Sequence, residues 1–243
     1  MIAGLVTEAE AAGYDLVSLS PKFILAQAGE WWLQPALLMT LIYRFGAAGE
    51  RNSAPSRVMA NGQCFLCRRS VLEKIDGYTG AAASFCDDVT LARQIAAAGY
   101  KVGFWDGSQV IKVRMYVGMA ETWQEWGRSL DLKDASTPGQ IRGDLWLLGA
   151  TQGLPLLVML MAGIAWGLGD RSLPLQALLG LNGGLLLIRW ALLLAILPTY
   201  EAAPDTKMSW TFWFSPLADP AAWYRIWLSS QNSPKEWRGR TYD

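Results

Sequence analysis

The chain has 243 residues, a net charge of zero, no histidine and 13 tryptophans, and 52% of its residues are hydrophobic. Zero net charge argues against a nucleic-acid partner, and the absence of histidine excludes Ser-His-Asp and Cys-His catalysis and any histidine-ligated metal. A general base must then be a carboxylate, Lys, Tyr or Cys. The apolar content is typical of a membrane protein.

The amino-terminal third predicts a helix, a strand and a second, strongly apolar helix. The first helix ends near Gly13, and the strand DLVSLS is closed by Pro21. Residues 31–45, WWLQPALLMTLIYRF, are short for a membrane span and contain Pro35 and Arg44. Two alternatives remain for them, a helix lying in the membrane interface and a buried core helix.

The next segment predicts a turn at Asn61-Gly62, followed by a strand that contains the pair Cys64 and Cys67. Residues three apart in a strand face opposite ways, so no disulfide is expected between them. A zinc site needs four ligands, and the sequence has no second cysteine pair. Free thiols fit a cytoplasmic setting.

Two adjacent acids, Asp87 and Asp88, begin the next predicted helix, over 84–98, which ends at Gly99 and precedes the strand YKVGFW. One interpretation is structural, because aspartate favours helix N-caps and acids in a first turn complement the helix dipole. The other is that they do chemistry, since a neighbouring acid raises the pKa of a carboxyl group and makes it a better base. A charged helix that contains tryptophan is predicted over 121–134.

Beyond Asp144 the sequence predicts two membrane-spanning helices. Residues 145–169 contain no charged side chain, and a spanning helix needs about 20 residues. A second apolar segment, 173–198, contains one charge, Arg189, which we expect to snorkel toward the membrane surface. Lysines and arginines outside the pair predict that both flanks are cytoplasmic. Residues 209–228 are aromatic but broken by prolines, which predicts an interfacial or re-entrant segment.

The order of these segments resembles the carboxyl-terminal part of membrane-bound family 2 glycosyltransferases, above all the bacterial carotenoid and ceramide-type glucosyltransferases. The matching stretches are ANGQCFLCRRSVLEKIDGY, CDDVTLARQIAAAGYKV, the tryptophan-bearing helix, the two spans and the terminal WRGRTY. The resemblance implies an α/β fold with a partial Rossmann-like domain of the glycosyltransferase A type over residues 1–143. Two transmembrane helices over 144–200 and an interfacial segment with a cytosolic tail over 201–243 would follow.

The resemblance also implies the site. Asp88 takes the position of the family's general base, and Asp87 stands where the family usually has glutamate. The loop that borders the acceptor site in the family matches Asn61, Gly62 and Gln63; the alternative is an ordinary turn.

The family's Gln/Arg-x-x-Arg-Trp motif is matched only in part. Trp126 takes the place of its tryptophan, but Glu125 precedes it where the motif has arginine, and Arg128 follows as a possible cation for the diphosphate. The alternative is a solvated helix with one packed tryptophan. The tail residues 237–240, WRGR, match a recurrent family motif.

The largest departure from the family is the missing nucleotide-binding half, with its Asp-x-Asp motif and its divalent metal, Mg or Mn. The chain itself is expected to hold no metal, and a separate chain is expected to carry the donor site. The resemblance thus implies a truncated or split enzyme that moves a sugar from a nucleotide-sugar donor to a hydroxyl of a lipid-like acceptor at the membrane. The alternatives are a non-catalytic, membrane-anchored remnant or partner-binding subunit and, last, a small transport or assembly subunit.

Overall fold

The structure is a computed structural model that describes residues 2–49, 54–125, 132 and 135–231, and the backbone of 236–237 and 240–241. Its helices are α1 (Ile2–Ala11), α2 (Ala28–Phe45), α3 (Arg69–Lys74), α4 (Asp87–Ala97), α5 (Gly118–Glu125), α6 (Pro138–Leu148), α7 (Pro155–Gly167), α8 (Leu173–Ile196) and α9 (Asp219–Gln231). Its strands are β1 (Leu16–Ser20), β2 (Lys22–Leu25), β3 (Phe65–Cys67), β4 (Val102–Asp106), β5 (Lys112–Val113), β6 (Tyr200–Ala202), β7 (Glu236–Trp237) and β8 (Arg240–Thr241).

The strands form small sheets, and the expected mixed α/β class is confirmed. The first sheet has the order β3-β1-β4, with β1 antiparallel to β3 and parallel to β4. The second has the order β5-β2-β6, and both of its pairings are parallel. The strand β2, directly after Pro21, was not expected from the sequence. Its partner β6 crosses the predicted domain limit at residue 200, so the segment after the apolar helices is hydrogen-bonded to the amino-terminal part.

The helix α2 is the buried core helix of the two alternatives left open by the sequence. Trp31, Leu33, Leu37 and Met39 are at most 1% exposed. The helix packs against α5, α9 and the 3₁₀ segment Trp210–Ala218. The segment 209–228 therefore covers α2 with part of its apolar surface.

The two thiols of the Cys-x-x-Cys segment face opposite sides of β3, as their spacing predicts. Cys64 packs with Val17 and Leu19, whereas Cys67 packs with the cluster beneath α4. All three cysteines of the chain are free thiols.

The first apolar segment is broken, which corrects the expectation of one continuous helix over 145–169. A π-helical turn over Gly149–Gly153 separates α6 from α7, and the two parts are bent by 46°. The break has two causes. Pro155 lacks an amide hydrogen, and a Cβ on Gly153 would lie 2.8 Å from Cγ of Trp223, so the indole packs where a side chain would otherwise stand.

One helix in the described residues, Leu173–Thr199, is long and apolar enough to cross a membrane, with a mean hydropathy of 1.8. There are two such segments if the bent pair Pro138–Gly153 and Pro155–Gly167 counts as one span. The number of spans and their orientation stay predictions.

Arg189 does not snorkel, which corrects the second expectation for the apolar segments. It is 1% exposed, and its Nε and Nη2 donate to Oδ2 and Oδ1 of Asp219 at 2.8 and 3.1 Å. Nη2 also donates to Oγ of Ser215 at 3.1 Å. The Gln152 amide donates to Oδ1 of Asp219 at 3.0 Å and to the Ala36 carbonyl at 2.8 Å. Arg189 therefore pairs with an acid inside the protein, so its guanidinium does not have to reach water at the end of the helix.

We predict that Arg189→Met lowers the free energy of unfolding by about 3–5 kcal/mol, because it leaves the Asp219 charge buried without its partner. The double variant Arg189→Met/Asp219→Leu should recover most of that loss. Thermal and denaturant unfolding in detergent micelles measure both effects.

The matched control is Arg69→Met, which breaks the exposed pair between Arg69 and Glu73, 2.7 Å apart. A surface ion pair contributes little, so this change should cost less than about 1 kcal/mol. Equal losses for the buried and the exposed pair would contradict the role assigned to Arg189.

Candidate active site

The two acids open α4 without capping it. Cys86 occupies the N-cap position, and Asp87 and Asp88 are the first two helical residues. Oδ1 of Asp87 accepts a hydrogen bond from the Asp88 amide at 3.0 Å. The N-cap interpretation is therefore wrong in its detail, although both carboxylates do lie in the positive first turn. Apolar residues on the inner face hold the helix on the core, and Gly99, with φ of 88°, follows its end.

Asp88 connects α4 to the loop that the sequence analysis singled out. Its Oδ1 accepts from the Val89 amide at 2.8 Å, and its Oδ2 accepts from the Gly62 amide at 2.6 Å. Each carboxylate oxygen has two lone pairs, so both oxygens keep capacity for a further donor. The carboxylate is thus held in place by main-chain groups and can still accept a proton.

The loop over 61–63 is fixed from below by β1. The Ser18 hydroxyl donates to the Asn61 carbonyl at 2.9 Å and accepts from the Asn61 amide at 2.7 Å. Oδ1 of Asn61 accepts from the Gln63 amide at 3.0 Å, so this side chain shapes the turn. A Cβ on Gly62 would lie 3.5 Å from Oδ2 of Asp88, an ordinary contact. Gly62 therefore acts through its amide, and a small side chain fits there.

Burial is the main cause of the raised pKa of Asp88, and the negative charge of Asp87 raises that pKa further. The amides of Val89 and Gly62 lower the pKa of Asp88 in part, because they stabilise the charged form. The expected direction is confirmed. The expected cause, the neighbouring acid, is the smaller of the two contributions.

A cavity of about 530 Å³ brings the predicted residues together. Both acids line it, and so does the loop of Asn61, Gly62 and Gln63. The remaining lining residues are Leu41, Met59, Ala60, Phe65, Tyr78, Phe85, Cys86, Val89, Met115, Tyr116 and Leu132. Trp126 and Arg128, also predicted for the site, lie outside the described residues, as do the side chains of the tail motif over 237–240.

Tyr78 is a site residue that the sequence analysis missed. Burial raises the pKa of its hydroxyl, and the negative charge of Asp87 raises it further, which keeps the group a neutral hydrogen-bond donor. It follows Asp76 and Gly77, both with positive φ, which turn the chain toward the acids. The signal in the sequence was the tyrosine placed directly after the Asp-Gly turn.

The described residues contain no group of three or more His, Cys, Asp or Glu side chains placed to hold a metal ion. The cavity offers two carboxylates, those of Asp87 and Asp88. The resemblance assigns the divalent metal to the nucleotide-binding half, and no reaction step is derived through it.

Comparison of the chain with protein-family models, curated proteins and solved structures gives no match.

We predict a pH-dependent difference in stability between the wild type and Asp88→Asn. With a raised pKa, folded Asp88 binds a proton that the unfolded chain has already released. The contribution of Asp88 to the free energy of unfolding therefore falls as pH rises from about 4, the ordinary pKa of aspartate, through the folded pKa. Unfolding in detergent micelles across this range measures the difference.

The variant Asp87→Asn is the matched control. It removes the neighbouring charge, so the folded pKa of Asp88 should fall and the window should end at a lower pH. A stability difference that rises with pH would mean that the pKa of Asp88 is lowered in the fold, and would contradict this description of the site.

Proposed function

We propose that the chain is the acceptor-binding and base-carrying part of a membrane glycosyltransferase. It would transfer a sugar from a nucleotide-sugar donor to a hydroxyl of a lipid-like acceptor, with Asp88 as general base. The observation that carries the proposal is the position of Asp88, part-buried in a cavity of about 530 Å³, oriented by two amides and with a raised pKa. A carboxylate with a raised pKa is a stronger base than an ordinary aspartate and is suited to accept a proton from a hydroxyl group.

The reaction would be a single displacement. The acceptor oxygen attacks the anomeric carbon while its proton passes to the Asp88 carboxylate. The bond from that carbon to the phosphate oxygen breaks, and the nucleoside diphosphate leaves with the electron pair. Tyr78 and the exposed amide side chain of Gln63 line the cavity and would bind hydroxyl groups of sugar or acceptor.

The pairing of the strands supports the proposal of a partial Rossmann-like domain of the glycosyltransferase A type. The strands β1 and β4 are parallel, and the loop over 61–63 is bonded to Ser18, the middle residue of β1. The catalytic part and the carboxyl terminus would face the cytoplasm, as the Lys and Arg distribution predicts.

The open edge of β3 supports the proposal that a separate chain carries the donor site. Hydrogen bonds from Arg68 to Asp15 and from Leu19 to Cys64 fix the pairing of β3 with β1, so the amides and carbonyls of Phe65 and Cys67 point away from β1. Within the part of the chain that the structure describes, these groups have no hydrogen-bond partner. Phe65 also lines the cavity, so a strand added there would end beside Asp88.

We predict that Asp88→Asn lowers glycosyl transfer by about 10²–10⁴-fold, the usual contribution of a general base. The assay uses membranes that contain the chain, alone and with the polypeptide encoded directly upstream, together with labelled nucleotide sugars and extracted lipids. The control is Asp205→Asn, the same substitution at an exposed turn where φ is 63°, which asparagine tolerates.

Full transfer by Asp88→Asn at unchanged protein level would remove the base role. No transfer in either setting, across several donors and acceptors, would favour a non-catalytic membrane-anchored subunit.

We predict that the donor-binding chain protects two amides from hydrogen exchange. In the isolated chain the amides of Phe65 and Cys67 exchange freely, whereas the amide of Leu66, which faces β1, is protected. Addition of the upstream-encoded polypeptide should slow exchange at Phe65 and Cys67 and leave Leu66 unchanged. Transfer restored without this protection would show that the two chains meet elsewhere.

A further inference from the structure

A second cavity, of about 290 Å³, lies next to the one that contains Asp88. Its walls come from α2, from the last turns of α8 and from the loop after α2, which contribute Leu38, Ile42, Ala48, Leu192, Ala195 and Ile196 among others. Most of the lining is apolar. The polar residue Thr199 is satisfied locally, because its hydroxyl donates to the Ile196 carbonyl at 2.7 Å. Asp106 accepts the Ser108 amide at 2.9 Å.

The two cavities share part of their lining. Five residues border both of them, namely Leu41, Met59, Ala60, Asn61 and Met115. Asn61 begins the loop whose Gly62 amide binds Asp88. A molecule with a hydroxyl group at Asp88 and an apolar body would therefore lie across both cavities.

The position of the second cavity indicates where its ligand comes from. Leu192, Ala195 and Ile196 belong to the helix that is long and apolar enough to cross a membrane. Ala195 lines the cavity and is also exposed on the outer surface of that helix. If this helix spans the membrane, a hydrocarbon chain would reach the cavity from the bilayer past this small side chain, without passing through water.

We propose that the second cavity binds one unbranched hydrocarbon chain of an amphiphilic alcohol and directs its hydroxyl to Asp88. A methylene group fills about the volume of a water molecule, roughly 30 Å³, so the cavity holds about ten carbons of a single chain and excludes a second one. The reaction at the hydroxyl rests on the proposed function, but the binding of the chain does not.

The test uses the full chain in lipid nanodiscs and two photoreactive hexadecanols, with a diazirine near the hydroxyl or near the tenth carbon. The tenth-carbon probe should label peptides that contain Leu38–Ile42 and 192–199. The hydroxyl-end probe should label 59–63 and 115–116. Competition by straight-chain alcohols should improve about fourfold per added methylene up to about ten carbons, and then level off.

Ala195→Trp fills the cavity and should lower labelling by the tenth-carbon probe by about tenfold or more, since it displaces at least two methylenes. Ala191→Trp, one turn away on the same helix and outside the cavity lining, is the matched control and should leave labelling unchanged. Ala48→Leu narrows the cavity from the loop after α2 and should act as Ala195→Trp does, which keeps the test valid if one variant fails to fold.

Labelling spread along the exposed leucines of α8, equal in Ala195→Trp and in Ala191→Trp, would mean simple partition into the bilayer and would overturn the proposal. Labelling of the cavity without any sugar transfer would keep the hydrocarbon site and remove the glycosyltransferase. Transfer to an acceptor without labelling of the cavity would keep the glycosyltransferase and remove the hydrocarbon site.

Discussion

The bidentate ion pair between Arg189 and Asp219 holds the apolar helices to the rest of the molecule. A guanidinium in an apolar helix is costly in a bilayer unless an acid meets it. Both oxygens of Asp219 bind Arg189, and Gln152 in the π-helical turn binds the same carboxylate and the Ala36 carbonyl of α2. The pair therefore joins α8, α9, the break between α6 and α7, and the core helix in one buried network.

The position of the candidate site follows from this network and from the two sheets. The strand β6, directly after α8, pairs with β2, and only Pro21 separates β2 from β1. In β1, Ser18 holds the loop whose Gly62 amide binds Asp88. The last turns of α8 line the second cavity, and the carboxylate of Asp88 lines the first. Both are thus fixed to one pair of consecutive strands. A shift of α8 would change the distance between the second cavity and the carboxylate of Asp88.

The sequence predicted those features that depend on neighbours in the chain. The helix α4, the strands β1, β3 and β4, and the opposite faces of Cys64 and Cys67 follow from period and turn signals within a few residues. The approach of Asn61 and Gly62 to Asp88 came from a resemblance, and the structure brings these residues together independently of it.

The features that could not be predicted depend on contacts between distant residues. Arg189 lies near the end of the apolar segment, which favours snorkelling, but its partner lies 30 residues away, beyond the end of that segment. The helix break has a local signal in Pro155, but it also depends on the packing of Trp223 against Gly153, a residue 70 positions away. The strand β2 is four residues long and becomes a strand only through β5 and β6. Local propensity contains no information on any of these pairings.

A structural and a catalytic role of Asp88 do not exclude each other, because they use different properties of one carboxyl group. The amides of Val89 and Gly62 fix its orientation and lower its pKa, whereas burial and the Asp87 charge raise that pKa. Burial also raises the pKa of Asp219, to about 6, although that carboxylate serves the buried ion pair. The upward shift alone therefore does not separate the two roles. What distinguishes Asp88 is its position, because it lines a cavity, whereas Asp219 is 1% exposed and enclosed in the buried network. The proposed base role of Asp88 rests on a raised pKa at a place that a ligand can reach.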